Sequence, residues 1–163
     1  MSIRPAVPSD ASSLAAISIE VWLGTYIREG VNAFFADYAL GEFTTTKFEA
    51  MLKSPEETIL VSENVVGIDG YIRVAKGRAA PVSGCSDTEL STLYVQGRHQ
   101  GKGIGLALLN EALGLVENPW LAVNAENEYA IAFYTAQGFS NVGQTYFNIQ
   151  EEAYLNHLLA YRG

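Results

Sequence analysis

Apolar residues recur along this chain with two different periods, and each period marks its own kind of element. Leu14, Ile17 and Val21 fall three and four residues apart behind Ser9-Asp10, so an amphipathic helix capped by that pair is expected after a short strand, Ile3 to Ala6. Alternation rich in β-branched residues takes over in Thr58 to Ser62, Val66 to Ala75 and Thr88 to Val95, which read as antiparallel strands. Glu63-Asn64 supplies a tight turn between the first two, and Gly67 and Gly70 inside the second point to a bulge or an irregular edge. An aromatic-rich segment (Phe34, Phe35, Tyr38, Leu40, Phe43) precedes a helix of about Thr46 to Lys53, and the loop from Lys76 to Asp87 is long and bears Gly and Pro. Two strand-to-helix units follow. One runs from the strand ending at Val95 into a helix Ile104 to Val116; the other runs from Trp120 to Asn124 into a helix that ends at Gly138. Gly143 to Asn148 and Ala153 to Tyr161 read as a closing hairpin. Antiparallel strands first and strand-to-helix units later predict an α+β, mixed α/β fold: a mostly antiparallel central sheet with helices on both faces.

The first strand-to-helix unit carries the densest chemical signal. Between Val95 and the next helix the chain reads Gln96-Gly97-Arg98-His99-Gln100-Gly101-Lys102-Gly103-Ile104-Gly105, and glycines at alternate positions remove the Cβ atoms that would keep a ligand off the main chain. A strand entering a helix through such a turn offers bare N–H groups to a phosphate. The ligand is narrowed by spacing. A Walker loop needs Ser or Thr after its lysine, and Gly103 follows Lys102; a dinucleotide fingerprint started at Gly101 needs glycine where Leu106 stands. The remaining pattern is Q-x-x-G-x-G, filled by Gln100, Gly103 and Gly105. In the second unit, Asn127, Ala130, Phe133, Tyr134, Gly138 and Phe139 fill N-x-x-A-x-x-F-Y-x-x-x-G-F. The two motifs together resemble the acetyl-coenzyme A site of the GNAT superfamily of N-acetyltransferases.

That resemblance implies a geometry and a chemistry. The strands ending at Val95 and spanning Trp120 to Asn124 would splay, and the pantetheine arm of acetyl-coenzyme A would pair with the main chain of Leu93 and Val95 as an added strand. The pyrophosphate would lie over Gln100, Gly101, Lys102, Gly103, Ile104 and Gly105, held by amides and the positive helix end without a metal ion. Asn127, Ala130 and Phe133 would border the cofactor. An alkyl amine with an ordinary pKa of about 10.4 must lose a proton before it attacks a thioester. Glu89, on one strand face with Ser91, Leu93 and Val95, resembles the family's base, direct or through water. Tyr134 resembles the donor that protonates the departing thiolate. The implied acceptor is a primary amine of a small molecule, polyamines included, or of a peptide. Structural alternatives stand beside these roles: Asn127 as a helix N-cap, Gly138 as a left-handed C-terminal residue, Tyr134 and Phe133 as packing, Glu89 as an exposed strand-end carboxylate. An acyl-coenzyme A-binding regulatory module without turnover is the alternative function.

Composition changes this picture only at its edges. A chain of 163 residues with 48% hydrophobic and 17% charged residues suits one domain, 1–163, with no repeat or linker to divide it. Its net charge of −8 weighs against nucleic acid and anionic membranes and suits a cationic substrate. A lone Cys85 with only His99 and His157 offers neither a disulfide nor a zinc cluster. The sequence shows no transmembrane span or signal peptide, so a cytoplasmic location is expected. A homodimer through the Phe34 to Phe43 segment or the terminal hairpin stays open beside a monomer.

Overall fold

The computed structural model describes residues 1–149 and 151–162. It contains seven strands, mostly antiparallel, and five α-helices, and it divides into two compact units. The first comprises Met1–Val74 and Thr92–Ala112; the second comprises Ala75–Ser91 and the chain from Leu113 on.

In the first unit β1 (Ser2–Pro5) pairs antiparallel with β2 (Glu57–Glu63), Ser2 opposite Glu63 and Pro5 opposite Leu60. The order continues through β3 (Ile68–Ala75) to the tail of β4 (Glu89–Val95). Ile59, Leu60, Val61 and Ser62 are buried in succession, the mark of a strand covered on both faces. Neighbouring residues of β3 show the two covers. Tyr71 shares a 2.6 Å hydrogen bond with Ser18 of α1 (Ala11–Tyr26) and meets the ring of Phe48 in α3 (Thr45–Lys53) at 6.1 Å. Gly70, pointing the other way, lies against α4 (Ile104–Leu113): a Cβ there would sit 3.0 Å from the Tyr94 carbonyl oxygen and 3.3 Å from Ile104. Glycine at position 70 therefore serves close packing rather than a bulge.

The apolar stripe read from the sequence is the core of this unit. Leu14, Ile17 and Val21 pack with Phe48, Ile59, Val61 and Tyr71, each buried aliphatic side chain contributing about 1.5–3 kcal/mol. The start of α1 differs from expectation. Asp10 does not cap α1 with its side chain; a short 3-10 turn, Pro8–Asp10, comes first. The carboxylate is taken instead by Arg4, at 2.8 and 3.1 Å, and by the Val7 amide at 2.8 Å. Arg4 also holds Glu63 at 3.0 Å, and Arg73 clamps Glu57 at 2.7 Å. Further differences are local. The aromatic segment forms a helix of its own, α2 (Ala33–Glu42), capped by Asn32 through the Phe35 amide. Gly67 belongs to the turn, not the strand, because the Asn64 side chain accepts from the Val66 and Gly67 amides and closes the turn there. Helix α4 stops at Leu113, three positions short of Val116, directly before Gly114.

The second unit holds the head of β4, β5 (Trp120–Asn124), β7 (Glu152–Tyr161) and β6 (Phe139–Ile149) in that order, with α5 (Glu128–Ala136) between β5 and β6. β5 runs parallel to β4 with Glu89 opposite Trp120, and antiparallel to β7 from Trp120–Ala160 to Asn124–Asn156. The hairpin of β6 and β7 is longer than the sequence indicates, Phe139 opposite Tyr161 through Ile149 opposite Glu152, with an irregularity between Asn141 and Gly143. Trp120, Leu158 and Ala160 form its core with Val82 and Cys85 of the long loop packed on them, and the Trp120 indole donates to the Arg78 carbonyl at 2.9 Å. Cys85 is thus a packing residue. No described helix is long and apolar enough to cross a membrane.

Candidate active site

The phosphate-type turn is built as the glycine spacing requires. After β4 the chain makes one short 3-10 turn, Gly97–His99, and then crosses Gly101 and Gly103 with φ of +79° and +83° before α4 begins. These left-handed positions would strain any residue with a Cβ, although a Cβ at either would meet nothing within 4 Å. Glycine is therefore demanded by the backbone path, and the space beside it is open. The first amide of the helix to find a backbone acceptor is that of Ala107, on the Gly103 carbonyl at 3.0 Å. The amides from Gly101 to Leu106 have no backbone acceptor among the described residues. Open amides at the positive end of a helix form an anion-binding surface.

The other residues expected on this segment fall beside that surface. Just past β4 the Gln96 amide bonds to the Asp69 carbonyl of β3 at 2.9 Å, so alternation turns the main-chain groups of Leu93 and Val95 toward the opposite edge of the strand. One of those groups, the Val95 carbonyl, accepts from the Gln100 side chain at 3.1 Å, which ties the turn back to the strand. Gln100 thus shapes the turn. Lys102 is exposed, with its Nζ 3.3 Å from His99 Nδ1. Ile104 is 5% exposed, its side chain packed toward Gly70, so only its amide is available to a ligand. Gly105 lies in the first turn of α4, where a Cβ would meet only Val95, at an ordinary 3.8 Å, so packing does not demand glycine there.

In the second unit the residues of the other motif run from the cap of α5 to the first residue of β6. Asn127 caps α5, its Oδ1 accepting from the Ala130 amide at 3.1 Å. Gly138 follows the helix with φ of +102°, the left-handed C-terminal position expected of it. Tyr134 is 8% exposed and meets Phe133 at 5.2 Å and Phe139 at 5.4 Å. Burial pushes its phenol above the ordinary value of about 10, so the group stays protonated at neutral pH and is available only as a donor. Glu89, at the head of β4, is paired with Arg78 of the long loop at 3.3 Å. Spacing gave no sign of Arg78, which reaches Glu89 across a loop with no period of its own. The wide aromatic cluster around Trp22 was likewise legible only as a row of aromatic residues, because the contacts that assemble it join α1 to α2.

Comparison with known proteins concerns the chain as a whole. A family model described as an acetyltransferase (GNAT) domain matches residues 23–150. An uncharacterised N-acetyltransferase of Mycobacterium tuberculosis is 26% identical over 146 residues, 86% of this chain and 90% of that protein. The N-alpha-acetyltransferase RimI of the same organism is 31% identical over 99 residues, 59% of this chain and 60% of its own length. Among solved structures, the PaiA N-acetyltransferase of Thermoplasma acidophilum in complex with coenzyme A superposes with a TM-score of 0.72 at 18% identity, over 96% of this chain and 98% of that one. The ribosomal-protein-S18-alanine N-acetyltransferase of Escherichia coli superposes at 0.69 and 16% identity, over 98% and 92%. At such identities the likeness is one of fold.

Proposed function

We propose that this chain, which belongs to the GNAT acetyltransferase family, moves an acetyl group from acetyl-coenzyme A directly to a primary amine of a small molecule or peptide. The observation that carries the reading is the row of open amides from Gly101 to Leu106 behind two left-handed glycines. These amides, with the positive end of α4, suit the diphosphate of the acyl carrier without help from a metal ion. Lys102 adds charge beside them. The outward main chain of Leu93 and Val95 suits the amide groups of the pantetheine arm, in the manner of strand addition. For the Val95 carbonyl this means exchanging the Gln100 side chain for the ligand. Asn127, Ala130 and Phe133 are further proposed cofactor residues, on the strength of the second motif.

The chemistry assigned to the chain's own residues is proton movement. Glu89, directly or through water, takes a proton from the acceptor ammonium; the freed nitrogen bonds to the thioester carbon, and the C–S bond breaks. Tyr134 donates its proton to the departing thiolate. Arg78 pairs with Glu89 at 3.3 Å and holds its carboxylate at the head of β4. Residues 1–163 act in this reading as one cytoplasmic domain. The test is release of free thiol from acetyl-coenzyme A in the presence of a pooled amine library. Amine-dependent release supports transfer; tight coenzyme A binding with no release from any amine would instead identify an acyl-coenzyme A-sensing module.

A further inference from the structure

The turn that carries the open amides gets little support from packing. A Cβ placed at Gly97, Gly101 or Gly103 would meet nothing within 4 Å. A backbone without packing neighbours is placed by its hydrogen bonds, and two glutamines tie this stretch to the rest of the first unit. Gln100 reaches back to the Val95 carbonyl at 3.1 Å. Gln96 stands where the chain leaves β4 and is held from three sides. Its amide donates to the Asp69 carbonyl at 2.9 Å, its carbonyl accepts from the His99 amide at 2.8 Å, and its side-chain Nε2 donates to Glu20 Oε2 of α1 at 2.9 Å.

The first of these bonds extends the pairing of β3 with β4, and the second closes the 3-10 turn Gly97–His99. The third is different in kind. It joins residues 76 positions apart and fastens the root of the turn to a helix that is itself locked, since Ile17 and Val21 beside Glu20 on α1 are buried in the core. Glu20 is exposed, so burial does not explain its bond. A carboxylate also has the wrong sign to attract a diphosphate, which leaves geometry as its contribution. We propose that Glu20 is a positioning residue of the coenzyme A site: through Gln96 it fixes where the turn leaves β4, and so where the amides from Gly101 to Leu106 stand. This inference rests on the acetyl-coenzyme A reading and deepens it by naming what aims the diphosphate grip.

Calorimetric titration of the full chain with acetyl-coenzyme A and with S-acetylpantetheine, which lacks the diphosphate, reads the grip as the ratio of two affinities. Glu20→Ala and Gln96→Ala should each weaken acetyl-coenzyme A about three- to tenfold, the range of one lost hydrogen bond, and leave S-acetylpantetheine near the parent value. The double variant should lose no more than either single one, because both remove the same bond. Glu20→Gln retains an acceptor oxygen and should keep most of the ratio. Unfolding in urea should stay close to that of the parent in all of them. Tighter acetyl-coenzyme A binding by both Glu20→Ala and Glu20→Gln would make Glu20 a repelling charge and overturn the proposal. A ratio unmoved by the alanine variants, losses that add in the double variant, or an equal loss for S-acetylpantetheine would overturn it too. Equal affinity of the parent chain for the two thioesters would instead remove the acyl-carrier reading, and this inference with it.

Discussion

The two strand-to-helix connections of this protein, β4 to α4 and β5 to α5, solve the same local problem in opposite ways. A helix begins with amides that lack partners. At α5 the chain supplies a partner itself, the Asn127 side chain on the Ala130 amide. At α4 it supplies none among the described residues: two left-handed glycines carry the backbone into the helix, and the amides from Gly101 to Leu106 are left open. An open helix start costs stability that a cap of about 1 kcal/mol would restore, and in the proposed reading a ligand takes that place. The first connection thus suits holding an acyl carrier, and the second suits presenting a rigid helix with Tyr134 on it.

If the division is right, substitutions in the two connections fail differently. The largest effect is expected from Tyr134→Phe, which should lower kcat roughly 100-fold while acetyl-coenzyme A affinity stays near that of the parent, the signature of a lost general acid. A parent-like kcat in steady-state assays would remove Tyr134 from the chemistry. Next comes the pair Gly101→Ala with Gly103→Ala. Each alanine is strained by about 1–2 kcal/mol in a left-handed position, so coenzyme A affinity by calorimetry should fall about tenfold or more per site. The far-ultraviolet spectrum should be unchanged, since neither new methyl meets an atom within 4 Å.

Asn127→Ala should act in the opposite sense, lowering unfolding free energy in urea by about 1 kcal/mol, and Asn127→Ser should restore it. As a proposed cofactor residue Asn127 should also cost coenzyme A affinity in both variants, and unchanged affinity in both would leave it a helix cap alone. The smallest effect lies outside both connections. The Arg4 guanidinium holds Asp10 well below the usual carboxylate range, against the opposing effect of burial. A depressed folded pKa adds stability above the ordinary value of about 3.9 and loses it as pH falls through the folded value. Thermal midpoints should therefore drop on acidification below about pH 4. Asp10→Asn should flatten that limb while leaving coenzyme A affinity unchanged.

Legibility in the sequence followed how local each feature's cause is. The stripe Leu14, Ile17, Val21, the β4 turn with its glycines, the Asn127 cap and the Gly138 terminus are set within a few neighbouring residues, and the structure has them where the spacing put them. Helix α2 was missed because Phe34, Phe35 and Tyr38 give it little contrast between faces, and its partners lie on α1. Gly114 marked the true end of α4, yet the apolar residues beyond it, Leu115 and Val116, prolonged the helical period past it. Arg4 diverting Asp10 from its capping role, and Arg78 reaching Glu89, are contacts between segments distant in sequence or joined by an irregular loop, which no periodicity reports.

In the proposed reading the open amides at the start of α4 grip a diphosphate. Calorimetric titration with acetyl-coenzyme A and with S-acetylpantetheine, which carries the same arm and thioester but no diphosphate, tests it most directly. Acetyl-coenzyme A should bind at least about 100-fold tighter, a margin that the Gly101→Ala, Gly103→Ala variant reduces. Equal affinity for the two thioesters, or the same margin in the variant, would contradict it.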